Sequence, residues 1–193
     1  MFAGYTRRVR GEEASSFAEL ALLRTEIIEP QVLKFGGHLI RWTGDEVFVE
    51  FDSVVEAVRC AAALSEAVSR FNQAKVSDRR VALRVGINLD DIIVEDDDAF
   101  GDGVNIAERL KGLAEPGSIY VSEIVRDRVV GKIDFDFVDL GSKNLKNISE
   151  PIRVYRMGTD VAIESAALGH PTVRRLRAQG GSTIAERSRF CHS

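Results

Sequence analysis

The chain has only two cysteines in 193 residues, Cys60 and Cys191, far apart in sequence. Two such residues supply neither a disulfide framework nor the paired spacing of a zinc site. Cys60 sits in the run Val-Arg-Cys-Ala-Ala-Ala, where a small apolar residue fits. Long hydrophobic runs are also missing: none approaches the roughly 18 residues that a membrane span needs. The opening Met-Phe-Ala-Gly-Tyr-Thr-Arg-Arg lacks the apolar core of a signal peptide, so a cytoplasmic protein is expected. Excess positive charge is absent too. With 26 Lys and Arg against 30 Asp and Glu, the formal net charge is -4, which argues against nucleic acid as the main partner. No internal repeat is visible.

What is present suits one ordinary domain with a short extension: 45% hydrophobic and 29% charged residues, enough to bury a full core. Phe17, Leu20, Leu23 and Ile27 recur at helical steps over about residues 12 to 29. Pro30 opens a short turn that Gly36-Gly37 closes. Two strand-like runs, His38 to Trp42 and Glu46 to Phe51, flank Thr43-Gly44-Asp45, a tight hairpin that puts Asp45 at its tip. Ser53 with Glu56 forms a capping box ahead of a long apolar helix. Val81 to Asn88 and Asp91 to Glu95 read as a second strand pair. Gly103 to Ala114 reads as a helix stopped by Glu115-Pro116-Gly117. A strand from Ser118 to Val121 follows, with Ser122 capping one more helix. Alternation at Ile133, Phe135 and Phe137, and the pair Ile152 and Val154, indicate two late strands. Helices on one face of a mostly antiparallel sheet make an α+β domain, expected over residues 1–157. From 158 to 193 the apolar period disappears, and a flexible extension is expected.

On the helix beginning near Gly103, Asn105 and Arg109 are four apart and share a face, away from Ala107, Leu110 and Ala114. An amide beside a guanidinium can hold a sugar oxygen and neutralise a phosphate together. An isolated Asn-x-x-x-Arg is more often a solvated helix face. Here it ends a twelve-residue pattern, Asp98-Ala-Phe-Gly-Asp-Gly-Val-Asn-Ile-Ala-Glu-Arg109, that resembles the nucleotide-facing segment of class III nucleotidyl cyclases. Those enzymes turn ATP or GTP into a cyclic monophosphate and pyrophosphate. The resemblance runs from about Gly4 to Met157 and implies a ferredoxin-like nucleotide cyclase fold.

By that resemblance Asp98 recognises the purine, Asn105 orients the ribose, and Arg109 stabilises charge building on the α-phosphate. A carboxylate accepts from the exocyclic amine of adenine and repels the guanine carbonyl; Asp98 can equally be one of four solvated acids, Glu95 to Asp98. Asp45 matches the family's Gly-Asp turn, whose carboxylate holds two divalent ions, Mg²⁺ or Mn²⁺, that bridge substrate phosphates. Arg41 stands where a Lys favours adenine and a Glu guanine; it keeps donor character with a bulkier fork, so ATP is favoured over GTP. Lys146, in a stretch similar to the closing strand pair of bacterial members, matches the triphosphate-binding lysine. Asp90 departs from the family's usual Gly. Gly4-Tyr5-Thr6 matches the first-strand motif, with Tyr5 and Thr6 beside substrate, but Met1 occupies its metal-binding Asp position.

The implied assembly is a head-to-tail homodimer, with metal carboxylates from one chain and Asn105 and Arg109 from the other. Removing one charge-stabilising group of this kind costs on the order of 10²- to 10³-fold. The readings left open are therefore an adenylate cyclase with a clipped first strand, and a catalytically impaired cyclase-like binding or dimerisation module. Gly44-Asp45-Glu46 also resembles the diguanylate cyclase turn, whose signature Thr43 and Val47 break. A ferredoxin-like RNA-binding module lacks the exposed aromatic pairs that base stacking requires.

Overall fold

The structure, a computed structural model, describes residues 20–73, 75, 80–91, 93–95 and 98–158, and for 93–95 and 98–100 the backbone alone. Helix is present from residue 20, takes π-type hydrogen bonding over Leu23–Ile28, and runs straight into α1 (Glu29–Lys34). Pro30, with no N–H to donate, falls at the change from π-type to α-type hydrogen bonding. Leu23, Ile28 and Val32 turn inward.

Strand β1 (Gly37–Thr43) pairs antiparallel with β2 (Glu46–Phe51) through the expected turn, where Gly44 adopts φ 58°, a left-handed value that glycine takes without strain. An irregularity between Leu39 and Arg41 sets Arg41 opposite Phe48. The guanidinium of Arg41 lies 4.2 Å from the centre of the Phe48 ring. Helix α2 (Val54–Asn72) starts as its sequence asks, with the Ser53 hydroxyl accepting from the Glu56 N–H at 3.4 Å. Its Ala57, Val58, Cys60, Ala61 and Val68 are buried.

The expected hairpin of residues 81–88 with 91–95 does not form. Strand β3 (Arg84–Ile87) instead pairs in parallel with β6 (Ser118–Ser122), while β4 (Ile93–Glu95) pairs antiparallel with β5 (Asp98–Phe100). Parallel neighbours need a long crossover, and helix α3 (Asp102–Leu113) provides it. The four-stranded sheet runs β3-β6-β8-β7, with β8 (Ile152–Met157) antiparallel to both β6 and β7 (Phe137–Lys143). The alternating stretch Ile133 to Phe137 is not a strand until Phe137. Ile133, Phe135 and Phe137 nevertheless pack on the core, so the alternation marks a buried side without a sheet neighbour.

The α+β class with a mixed, mostly antiparallel sheet is as expected. The layering differs: helices occupy both faces of the four-stranded sheet. Ile119 and Val121 of β6 face the core shared with α2 and with α4 (Glu123–Val129), whereas Tyr120 faces α3. Every residue of β6 is buried, and a strand covered on two sides needs an element on each. Gly86 of β3 makes the second layer possible. A Cβ there would lie 2.2 Å from the Ala107 carbonyl oxygen and 2.4 Å from the Lys111 nitrogen, so α3 lies directly on the strand. Ser122 precedes α4 but does not cap it; its hydroxyl donates to Asn88 Oδ1 at 2.6 Å inside the core.

Candidate active site

Successive residues of a helix are roughly 100° apart, and α3 uses this to present three different faces. Val104 and Ala107 pack with Phe48 of β2, and on the same side Glu108 meets Arg41 at 3.8 Å and Lys111 meets Glu46 at 2.6 Å. That face belongs to the β1–β2 hairpin. Ile106, Leu110 and the following Ala114 join Tyr120, Leu145 and Val154 in a second cluster against the sheet. Asn105 and Arg109 fall on the remaining face; Asn105 is exposed and Arg109 half-buried.

Arg109 is not left to wander. Its Nε–H donates to the backbone carbonyl of Lys146 at 3.5 Å, a long contact that orients the guanidinium toward the β7–β8 loop. Leu145 anchors this loop in the second cluster, and Asn147 turns it with φ 64°. The structure thus brings Asn105, Arg109 and Lys146 to one open side of the molecule, with the Lys146 side chain exposed. The base of α3 is fixed from below by Asn88, which is buried and donates to the Gly103 carbonyl at 3.4 Å.

The other expected residues are placed differently. Arg41 lies on the hairpin side of α3, between the Phe48 ring and Glu108. Asp98 opens β5, opposite Glu95, in a strand that lies near β1; it is a strand residue and not part of a loop. Asp45 is half-buried at the hairpin turn, where the Trp42 indole N–H donates to the Gly44 carbonyl at 2.9 Å. Among the described residues there is no group of three or more His, Cys, Asp or Glu that could hold a metal by itself. Met1, Tyr5 and Thr6 lie outside the described residues, as does the extension from residue 159.

Sequence reasoning missed Glu108, Lys111 and Phe48. Lys111 is buried and its carboxylate partner is 65 positions away, a pairing that local spacing does not show. The signal available was the period itself. A lysine at the same helical angle as Val104 and Ala107 falls on a buried stripe.

Comparisons with known proteins agree with this fold. The family model "Adenylate and Guanylate cyclase catalytic domain" matches residues 45–158, a range that holds Asp45, Asp98, Asn105, Arg109 and Lys146 and leaves Arg41 just outside. The chain is 45% identical over 152 residues to "Putative adenylate cyclase 3" of Rhizobium meliloti, covering 79% of this chain and 26% of that protein. It is 29% identical over 130 residues to an "Adenylate cyclase" of Streptomyces coelicolor, covering 65% of this chain and 32% of the relative. The chain therefore spans about a quarter to a third of these relatives. Among solved structures, an "Adenylate/Guanylate Cyclase/Hydrolase" from Silicibacter pomeroyi superposes with a TM-score of 0.74 at 35% identity, covering 82% of this chain and 96% of that one.

Proposed function

The chain belongs to the adenylate and guanylate cyclase catalytic-domain family, and from that premise we propose that it converts ATP into cyclic AMP and pyrophosphate in intracellular signalling. The observation that carries this reading is the open face of α3, where Asn105 and Arg109 project together and the Lys146 loop meets Arg109. The reaction is an internal displacement. The ribose 3′ oxygen bonds to the α-phosphorus, the bond to the bridging oxygen breaks, and pyrophosphate departs. Asn105 orients the ribose. Arg109 meets charge that develops on the phosphoryl oxygens, an interaction that is strongest in the transition state and therefore accelerates the step. Lys146 holds the triphosphate, and Asp98 and Arg41 select adenine. Tyr5 and Thr6 complete the substrate pocket.

Asp45 is the residue that would hold the two divalent ions, Mg²⁺ or Mn²⁺. One carboxylate suits such ions, since Mg²⁺ binds one or two protein carboxylates and fills its other positions with water and substrate phosphates. Bound there, they would neutralise the triphosphate and make the 3′ hydroxyl easier to deprotonate. Asp45 and the Asn105–Arg109 pair lie on different sides of α3, which supports a head-to-tail homodimer with each site drawing on both chains. A cytoplasmic catalytic domain over residues 1–157 with an extension over 158–193 completes the reading. No helix among the described residues is long and apolar enough to cross a membrane.

The second reading is a cyclase-like module that binds nucleotide and turns over poorly. Assaying cyclic AMP and cyclic GMP with Mn²⁺ or Mg²⁺ separates the two. Cyclic AMP formation lost in Arg109→Ala and Asp45→Ala supports the enzyme; nucleotide binding without product supports the module. Cyclic di-GMP formed from GTP would overturn both.

A further inference from the structure

Two ion pairs join the β1–β2 hairpin to α3, one on each side of the Asp45 turn. Upstream, Arg41 reaches Glu108 at 3.8 Å; downstream, Glu46 meets the Lys111 ammonium at 2.6 Å. Glu108 and Lys111 are three apart and share a face of the helix, and Phe48 packs on Val104 and Ala107 along the same side. The second pair is the more informative. The Lys111 side chain is 7% exposed and that of Glu46 39%, so the cation is buried and its partner reaches the surface. A buried ammonium requires a carboxylate, and the fold supplies it from the residue immediately after Asp45. Glu46 is also the first residue of β2, paired in register with Thr43, and so closes the turn.

We propose that Lys111 is a positioning residue for the Asp45 turn: through Glu46 it fixes that carboxylate relative to α3, while Glu108 does the same through Arg41. This rests on the reading of Asp45 as the metal-holding residue. Because α3 also carries Asn105 and Arg109, the hairpin and helix behave as one unit. In a head-to-tail pair, a change at the metal turn of one site is then transmitted through the same chain to the phosphate-facing helix of the other. Outer partners that orient a ligand typically change metal affinity by about 10- to 100-fold.

The test uses the full chain with Mn²⁺ alone as probe, followed by the emission of Trp42, the single tryptophan, whose indole is bonded to the turn carbonyl of Gly44. Wild type is expected to show saturable quenching that Asp45→Asn abolishes. Quenching that survives Asp45→Asn overturns the metal reading of Asp45 and this inference with it. Given that control, Lys111→Met keeps an apolar stem in the buried position and leaves Glu46 to solvent; it is expected to raise the Mn²⁺ half-saturation about tenfold with a cooperative melt retained. Glu46→Gln, acting from the exposed end, is expected to do the same and decides the matter should Lys111→Met fail to fold. A half-saturation within about twofold of wild type in a folded variant, well below the loss expected for an outer partner, overturns the positioning role and leaves the metal reading intact.

Discussion

Gly86→Ala is the sharpest probe of how the sheet sets the position of α3. The added methyl would sit 2.2 Å from the Ala107 oxygen and 2.4 Å from the Lys111 nitrogen, with Leu110 Cβ at 3.0 Å, against an ordinary contact of 3.4 Å or more. The two nearest atoms are helix backbone and have no rotamer to adopt, so α3 itself must move. Relief takes a shift of roughly 1 Å, and misplacement on that scale costs about 10²-fold in turnover. Overpacking of this kind destabilises by about 1–3 kcal/mol. For a domain of this size that lowers Tm by roughly 2–4 °C per kcal/mol. Differential scanning calorimetry and cyclase assays at a temperature well below both melts separate the two effects. A wild-type Tm together with unchanged kcat would refute the claim that β3 and α3 are in direct backbone contact.

Phe48→Ala empties a fully buried site between β2 and α3 and removes the ring under Arg41; unfolding in denaturant should show a loss of about 3–5 kcal/mol. Burial pushes the Cys60 thiol up to about 12, with Glu56 adding to the effect, so it stays protonated at neutral pH. In a Cys191→Ser background, a disulfide reagent should label Cys60 only on unfolding, and rapid labelling of the native chain would contradict its placement. The Arg153 guanidinium, with the Gly141 N–H, holds the Asp139 carboxyl below the usual range. A depressed folded value means stability present above the unfolded pKa of about 3.9 and lost as pH falls through the lower folded value. Asp139→Asn should therefore lower Tm slightly at pH 7, and the difference from wild type should shrink as pH falls below roughly 4, flattening the acid side of the Tm profile.

Elements whose signals are local were readable in the sequence. The Ser53 cap, the Gly44 turn and the start of α3 each depend on a few adjacent residues, and each is where its residues place it. Pairing was not readable in the same way. Val81 to Asn88 looks like half of a hairpin because Asp91 to Glu95 follows closely, but β3 finds β6 some 34 positions later. Nothing in a run of apolar residues specifies a distant parallel partner. Strand β5 was hidden because its first residue closes an acidic run that resembles a solvated loop. In the candidate site, Asn105 and Arg109 were legible from helical spacing. The link of Lys146 to Arg109 and the Lys111–Glu46 pair arise only when loop, hairpin and helix meet.

In the proposed homodimer, catalysis needs Asp45 from one chain and Arg109 from the other. Mixing Asp45→Ala with Arg109→Ala probes this requirement. Each variant alone should form almost no cyclic AMP from ATP with Mn²⁺. Random pairing makes half of the dimers mixed, each with one intact site of two, so the mixture should recover about a quarter of wild-type activity. A mixture as silent as its components, or a single variant as active as wild type, would contradict the claim.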